Sequence, residues 1–144
     1  FKQSESYYRA IDSCRWGLCS SRQGFVIIFI ENEYFMKTYI LACDLKDDLK
    51  LIAEYEAYHQ NVWPEILKSI SDSGIVSMQI YRTGNRMLML MQTQDDFSFE
   101  AKGKADAENP KVQEWEQLMW NYQQALPHAK PGEKWILMEK IFEL

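Results

Sequence analysis

"IVSMQIYRTGNRMLMLMQT", residues 75–93, decides the fold. Two β-rich runs flank "TGNR", where Gly84 and Asn85 can take positive φ and close a hairpin. The two-residue period of a strand puts Val76, Met78 and Ile80 on one face of the first run and Ser77, Gln79 and Tyr81 on the other. Upstream, "KTYILACDL" at 37–45 reads as a first strand. "DDLKLIAEYEAYH" at 47–59 reads as a helix, with Asp47 and Asp48 at its positive end and Leu51, Ile52, Tyr55 and His59 at helical spacing. A second helical piece starts at Pro64, which suits a first turn and holds Trp63 out of the helical region. Gly74 stops that piece. Downstream, residues 95–127 read as two helical pieces, the second capped by Asn109 ahead of Pro110. Val112, Trp115, Met119 and Tyr122 form its apolar stripe, and Pro127, Pro131 and Gly132 end it. "KWILMEKIFEL" at 134–144 reads as the last strand.

The order is strand, helix, strand, strand, helix, strand. This is the ferredoxin-like βαββαβ arrangement of the α+β class, with a four-stranded antiparallel sheet. "MLMLM" (87–91) and "WILM" (135–138) are apolar on both faces, so both faces of the sheet are expected to be covered. Helices cover one. A second copy covers the other in a homodimer joined through sheet faces; the alternative cover is residues 1–35. The domain is expected at 36–144. Residues 1–35 show no sustained period and read as an N-terminal extension, non-native or dispensable, or else as a segment adding a strand through "FVIIFI" (25–30).

Of the 144 residues, 47% are hydrophobic and 26% charged, which suits one globular domain. The formal net charge of −5 and the lack of any Lys/Arg run argue against nucleic acid. "FVIIFI" is too short to span a bilayer, so no membrane partner is expected. Cys14, Cys19 and Cys43, odd in number and irregular in spacing, fit free thiols in a reducing cytoplasm. With two histidines, they show no metal-ligand spacing. No phosphate-cradling glycine motif or nucleophile elbow occurs.

The chemistry concentrates in "YEAYHQNVWPEI" (55–66). Tyr55 and His59, four apart, share one side of a helix. A histidine suits proton transfer near neutrality, and a tyrosine can donate to or accept from a hydroxyl. A structural histidine at a helix end fits the same spacing. Trp115 suits stacking on a sugar or packing in a core, and Glu116 beside it is either a ligand carboxylate or a solvated charge. His128 reads as a loop residue, and Cys43 as an inert core thiol.

These residues resemble a known family. "YEAYHQNVWPEI" is similar to the Y-x-x-x-H-x-x-x-W-P-E segment of the L-rhamnose mutarotase family, and "GIVSMQIYRTGNRMLML" and "NPKVQEWEQLMW" fall where that family has its hairpin and second helix. The resemblance covers residues 36–144 and implies a dimeric α+β barrel. It implies a cofactor-independent, metal-free isomerase that interconverts the α and β anomers of a 6-deoxy-L-hexose, L-rhamnose or L-fucose. The family's proton donor falls on His59 and a substrate-contacting tyrosine on Tyr55. A tryptophan pair falls on Trp115 and Glu116, and a further tyrosine on Met78. The last two positions depart from the family pattern and bear on which sugar is taken. A cofactor-independent oxygenase or isomerase of similar fold would consume oxygen with a cyclic aromatic substrate. A non-catalytic sugar sensor would bind without speeding anomer exchange.

Overall fold

The computed structural model describes residues 36–144. The extension at 1–35 and the strand suggested at "FVIIFI" lie outside the described residues. The chain runs β1 (Lys37–Leu45), α1 (Leu49–Gln60), α2 (Pro64–Asp72), β2 (Ile75–Thr83), β3 (Arg86–Thr93), α3 (Phe99–Glu108), α4 (Pro110–Trp120), β4 (Gln123–Gln124) and β5 (Ile136–Leu137). The sheet order is β2-β3-β1-β4, with β5 also on β1. β3 pairs antiparallel with both β1 and β2. β1 and β2 are therefore parallel with β3 between them, as the split βαβ arrangement requires.

Local chemistry sets the element ends. Asp48 Oδ1 accepts from the backbone N–H groups of Lys50 and Leu51 at 2.8 and 3.1 Å, starting α1. Trp63 is extended (φ −58°, ψ 137°) and Pro64 opens α2. Asn109 closes α3 and caps α4, its Oδ1 accepting from Lys111 and Val112 N–H. Gly84 takes φ +57° in the hairpin turn. Leu45 N–H donates to Asn85 O and Asn85 Nδ2 to Leu45 O, which ties that turn to the end of β1.

The helix-covered face of the sheet carries Leu41, Cys43, Met87 and Met91, all buried. Cys43, Met87, Ile52, Tyr55, Trp115 and Met119 belong to one apolar cluster between sheet and helices. Full burial of a side chain like Met87 stabilises the fold by about 1.5–3 kcal/mol.

Three expectations need correction. Val76 does not share a face with Met78 and Ile80. The β2–β3 register shifts between Ile75 and Ser77, so Val76 sits in a bulge and is 57% exposed, while Ile75 turns inward and is buried. The last helix stops at Trp120, well before Pro127, because the chain turns at Asn121 to lay β4 beside β1. The last strand covers Ile136–Leu137 rather than 134–144. Met138 N–H still donates to Ile40 O, but residues 139–144 find no partner strand among the described residues, and Ile141 and Phe142 stay exposed.

Candidate active site

Tyr55 and His59 stand on the last two turns of α1, four residues apart. Their ring centroids lie 4.1 Å apart at an interplanar angle of 34°. The helix ends one residue later, because Pro64 and extended Trp63 set a new direction. The break leaves His59 in the last turn, half-buried at the wall of a cavity.

His59 Nδ1 lies 2.9 Å from the backbone carbonyl oxygen of Tyr55. A carbonyl can only accept, so Nδ1 carries the hydrogen and the neutral ring keeps Nε2 free to take a proton. Burial lowers the His59 pKa below its ordinary 6.5, against a smaller raising effect of that hydrogen bond. The ring is therefore neutral at neutral pH. Burial also pushes the Tyr55 phenol well above its usual range, so it keeps its proton and acts as a hydrogen-bonding group rather than a base.

The cavity measures about 590 Å³ and lies between the helices and the covered face of the sheet. That size is within the usual range of small-molecule sites. Tyr55 and His59 come from α1, and Val112, Trp115, Glu116 and Met119 from α4. The sheet supplies Met78, Ile80 and Met89, and Trp135 closes one side. All five residues singled out in the sequence, His59, Tyr55, Met78, Trp115 and Glu116, line this one cavity. Trp115 is 6% exposed and belongs to the core as well as the cavity wall. Its indole meets His59 edge-on at 5.7 Å and Trp63 at 5.2 Å. His128 is exposed in a loop and does not line the cavity.

Two lining or supporting residues escaped the sequence reading. Lys134, only 9% exposed along its side chain, forms an ion pair with Glu116 and lies 4.9 Å over the Trp120 ring. It holds the Glu116 carboxylate against the cavity wall. Gln123, 4% exposed on β4, donates from Nε2 to Tyr55 Oη at 3.4 Å. Its Oε1 is buried without a partner among the described residues. A two-residue strand leaves no periodic signal, and a lysine among surface-type residues gives none for burial.

A second depression of about 600 Å³ runs between α2 and α3. It touches neither His59 nor Tyr55, and along the wall it shares with the first cavity Lys102 Nζ and Ser69 Oγ both donate to Asp106. The imidazole-bearing cavity is the better site because only it holds a group able to move a proton near neutrality. Among the described residues no cluster of three His, Cys, Asp or Glu is placed to hold a metal. The Cys43 thiol is wholly buried, and burial pushes its pKa up to about 11, so it is no nucleophile.

Fold and cavity together define the class: an α+β protein with a small-molecule cavity under one face of an antiparallel sheet, walled by aromatic rings and carrying one neutral imidazole. Comparison with known proteins gives the family. The sequence pattern described as L-rhamnose mutarotase matches residues 38–144, and the chain belongs to the L-rhamnose mutarotase family. It is 47% identical over 103 residues to the L-fucose mutarotase of Xanthomonas campestris pv. campestris, covering 70% of this chain and 82% of that protein. It is 31% identical over 80 residues to the L-rhamnose mutarotase of Phocaeicola vulgatus, covering 54% and 69%. The crystal structure of an L-rhamnose mutarotase from Formosa agariphila shares the fold, with a TM-score of 0.56 at 20% identity over 75% of this chain and 98% of that one. The protein is a sugar mutarotase of the L-rhamnose/L-fucose type, an isomerase acting on sugar anomers.

Proposed function

We propose that the protein interconverts the α and β anomers of a 6-deoxy-L-hexose, with L-fucose preferred over L-rhamnose, and that His59 carries the proton. The preference for L-fucose is supported by the higher identity to the L-fucose enzyme. The observation that carries the mechanism is the Nδ1–H bond to the Tyr55 carbonyl, which leaves Nε2 as the free nitrogen in the cavity.

Ring opening removes the proton of the anomeric hydroxyl. That oxygen's electrons form the carbonyl as the bond from the anomeric carbon to the ring oxygen breaks, and the ring oxygen takes up a proton. Rotation then presents the other carbonyl face and closure reverses both transfers, so nothing is oxidised or lost. Neutral His59 takes the anomeric proton on Nε2 and, as imidazolium, returns one to the ring oxygen. The protonated Tyr55 phenol orients a sugar hydroxyl, the Trp115 indole packs on the apolar side of the ring, and Met78 lines the sheet side. Glu116, held by Lys134, accepts from a hydroxyl.

Saturation-difference NMR of anomer exchange tests this with L-fucose, L-rhamnose and D-glucose side by side. Wild type is expected to speed exchange most in L-fucose. His59→Ala is expected to lower that rate by about 100-fold or more, the scale of acid–base catalysis. A folded His59→Ala protein with full activity would remove His59 from the mechanism.

The active form is proposed to be a homodimer joined through the sheet faces that the helices leave open. A reducing, cytoplasmic setting accords with the free buried thiol of Cys43.

A further inference from the structure

We propose that Gln123 reads the sugar: its Oε1 accepts a hydrogen bond from one ring hydroxyl of the substrate while its Nε2 fixes the Tyr55 phenol. This rests on the mutarotase reading of the His59 cavity. Gln123 lines that cavity, is 4% exposed, and bonds Tyr55 Oη through Nε2, yet its Oε1 has no partner among the described residues. Buried amide oxygens are nearly always paired, and an unpaired one destabilises the fold. A ligand hydroxyl aimed at the carboxamide supplies the missing bond.

Nearby structure holds the group in place. Gln123 pairs with Leu45 across the β1–β4 ladder, and the preceding Tyr122 carbonyl accepts from Lys46 N–H at 2.8 Å. The backbone under the carboxamide is therefore anchored on both sides. Acceptors are scarce in the cavity, since Met78, Ile80, Met89, Val112 and Trp115 present apolar surface. Asp106 also lines the cavity, but its carboxylate already accepts from Lys102 and Ser69, so the acceptors left for a sugar at the His59 end include His59 Nε2, the Glu116 carboxylate and Gln123 Oε1. Because Nε2 donates to Oη, the Tyr55 O–H is left free to donate in turn. Gln123 and Tyr55 then offer an acceptor and a donor side by side, which suits hydroxyls on adjacent ring carbons.

The test measures kcat/KM for anomer exchange of L-fucose, and of L-fucose lacking one non-anomeric ring hydroxyl at a time. It compares wild type, Gln123→Met, Gln123→Glu and His59→Ala. Gln123→Met keeps the volume and removes both the Oε1 acceptor and the Nε2 donor to Tyr55 Oη. It is expected to slow L-fucose by about 10–100-fold, the scale of an unpaired substrate hydroxyl. Every sugar shares the loss of the bond to Tyr55, but the deoxy sugar lacking the hydroxyl that Oε1 reads is expected to be slowed distinctly less than L-fucose. Gln123→Glu retains acceptor oxygens and is expected to restore the discrimination. In the wild type, the Gln123 side-chain amide NMR signal is expected to shift on saturation with L-fucose and not with that deoxy sugar, a reading that needs no variant to fold. Equal slowing of every sugar by Gln123→Met would reduce the residue to a structural prop and overturn the proposal. So would unchanged rates in a folded variant while His59→Ala is inactive. A wild type that speeds no sugar would overturn the mutarotase reading itself, and this proposal with it.

Discussion

At His59, burial and one backbone hydrogen bond act on the same ring and fix its protonation. The depressed pKa and the Nδ1–H tautomer both deliver a neutral imidazole with Nε2 free. If the neutral form starts catalysis, activity is present above the folded-state pKa and lost as pH falls through it. An exposed histidine would lose half its activity at its ordinary 6.5. Here kcat/KM is expected to stay level from neutrality down past that value and to fall only at lower pH. The same shift makes stability fall as pH drops below 6.5, since the unfolded chain takes up the proton first. A pH–rate profile checks the first statement, and a midpoint at or above the ordinary value would contradict it. Sequence reached this residue because Tyr55 and His59 sit one helical turn apart, within reach of periodicity. It did not reach Gln123, 68 residues from the tyrosine it bonds, or Lys134, 18 residues from Glu116. Those contacts exist only once β4 and the loop before β5 have packed.

Among the elements, α4 matters most to the site, since it carries Trp115, Glu116 and Met119 into the cavity. Its start depends on one residue. Asn109 ends α3, with its N–H donating to Asp106 O at 3.2 Å, and its side chain receives two N–H groups of α4. Asn109→Ala is expected to cost about 1 kcal/mol, roughly 3–4 °C in Tm, while Asn109→Asp keeps the cap. Thermal unfolding followed by circular dichroism decides it; an alanine variant melting with wild type would show that Pro110 alone suffices to start the helix. This cap was readable because capping chemistry is local, as were the hairpin turn at Gly84 and the break at Pro64. The bulge at Val76 was not, because alternation alone cannot show where one strand gains a residue against its partner. Nor was the short reach of β5, since "KWILMEKIFEL" has strand composition throughout and only the available partner backbone limits it.

At the scale of the domain, the face of the sheet turned away from the described helices bears on assembly. The four described helices lie on the other side. That face carries Ile40 beside Leu90 and Ala42 beside Leu88 at its centre, with Ile136 next to Ala42. At one end Arg86 grips Asp44 through two hydrogen bonds, Nε to Oδ1 at 2.5 Å and Nη2 to Oδ2 at 3.0 Å. Val76 and Tyr81 lie more than half exposed along the outer strand. An apolar centre with a charged rim is how protein interfaces are built. Two-fold pairing with a second copy is the commonest way for a chain to cover such a face. The protein is therefore expected to sediment as a dimer at micromolar concentration. Ile40→Glu with Leu90→Glu sets unpaired charges on neighbouring strands at the centre of the contact. This is expected to weaken association by ~3 kcal/mol or more, about 100-fold in Kd, while the helix and sheet signals persist. Neither position lines the His59 cavity, so sedimentation and activity can be read separately on the same variant. A monomeric wild type would mean that the apolar pattern of "MLMLM" answers to some other cover. A doubly charged variant that stays dimeric would move the interface away from this face.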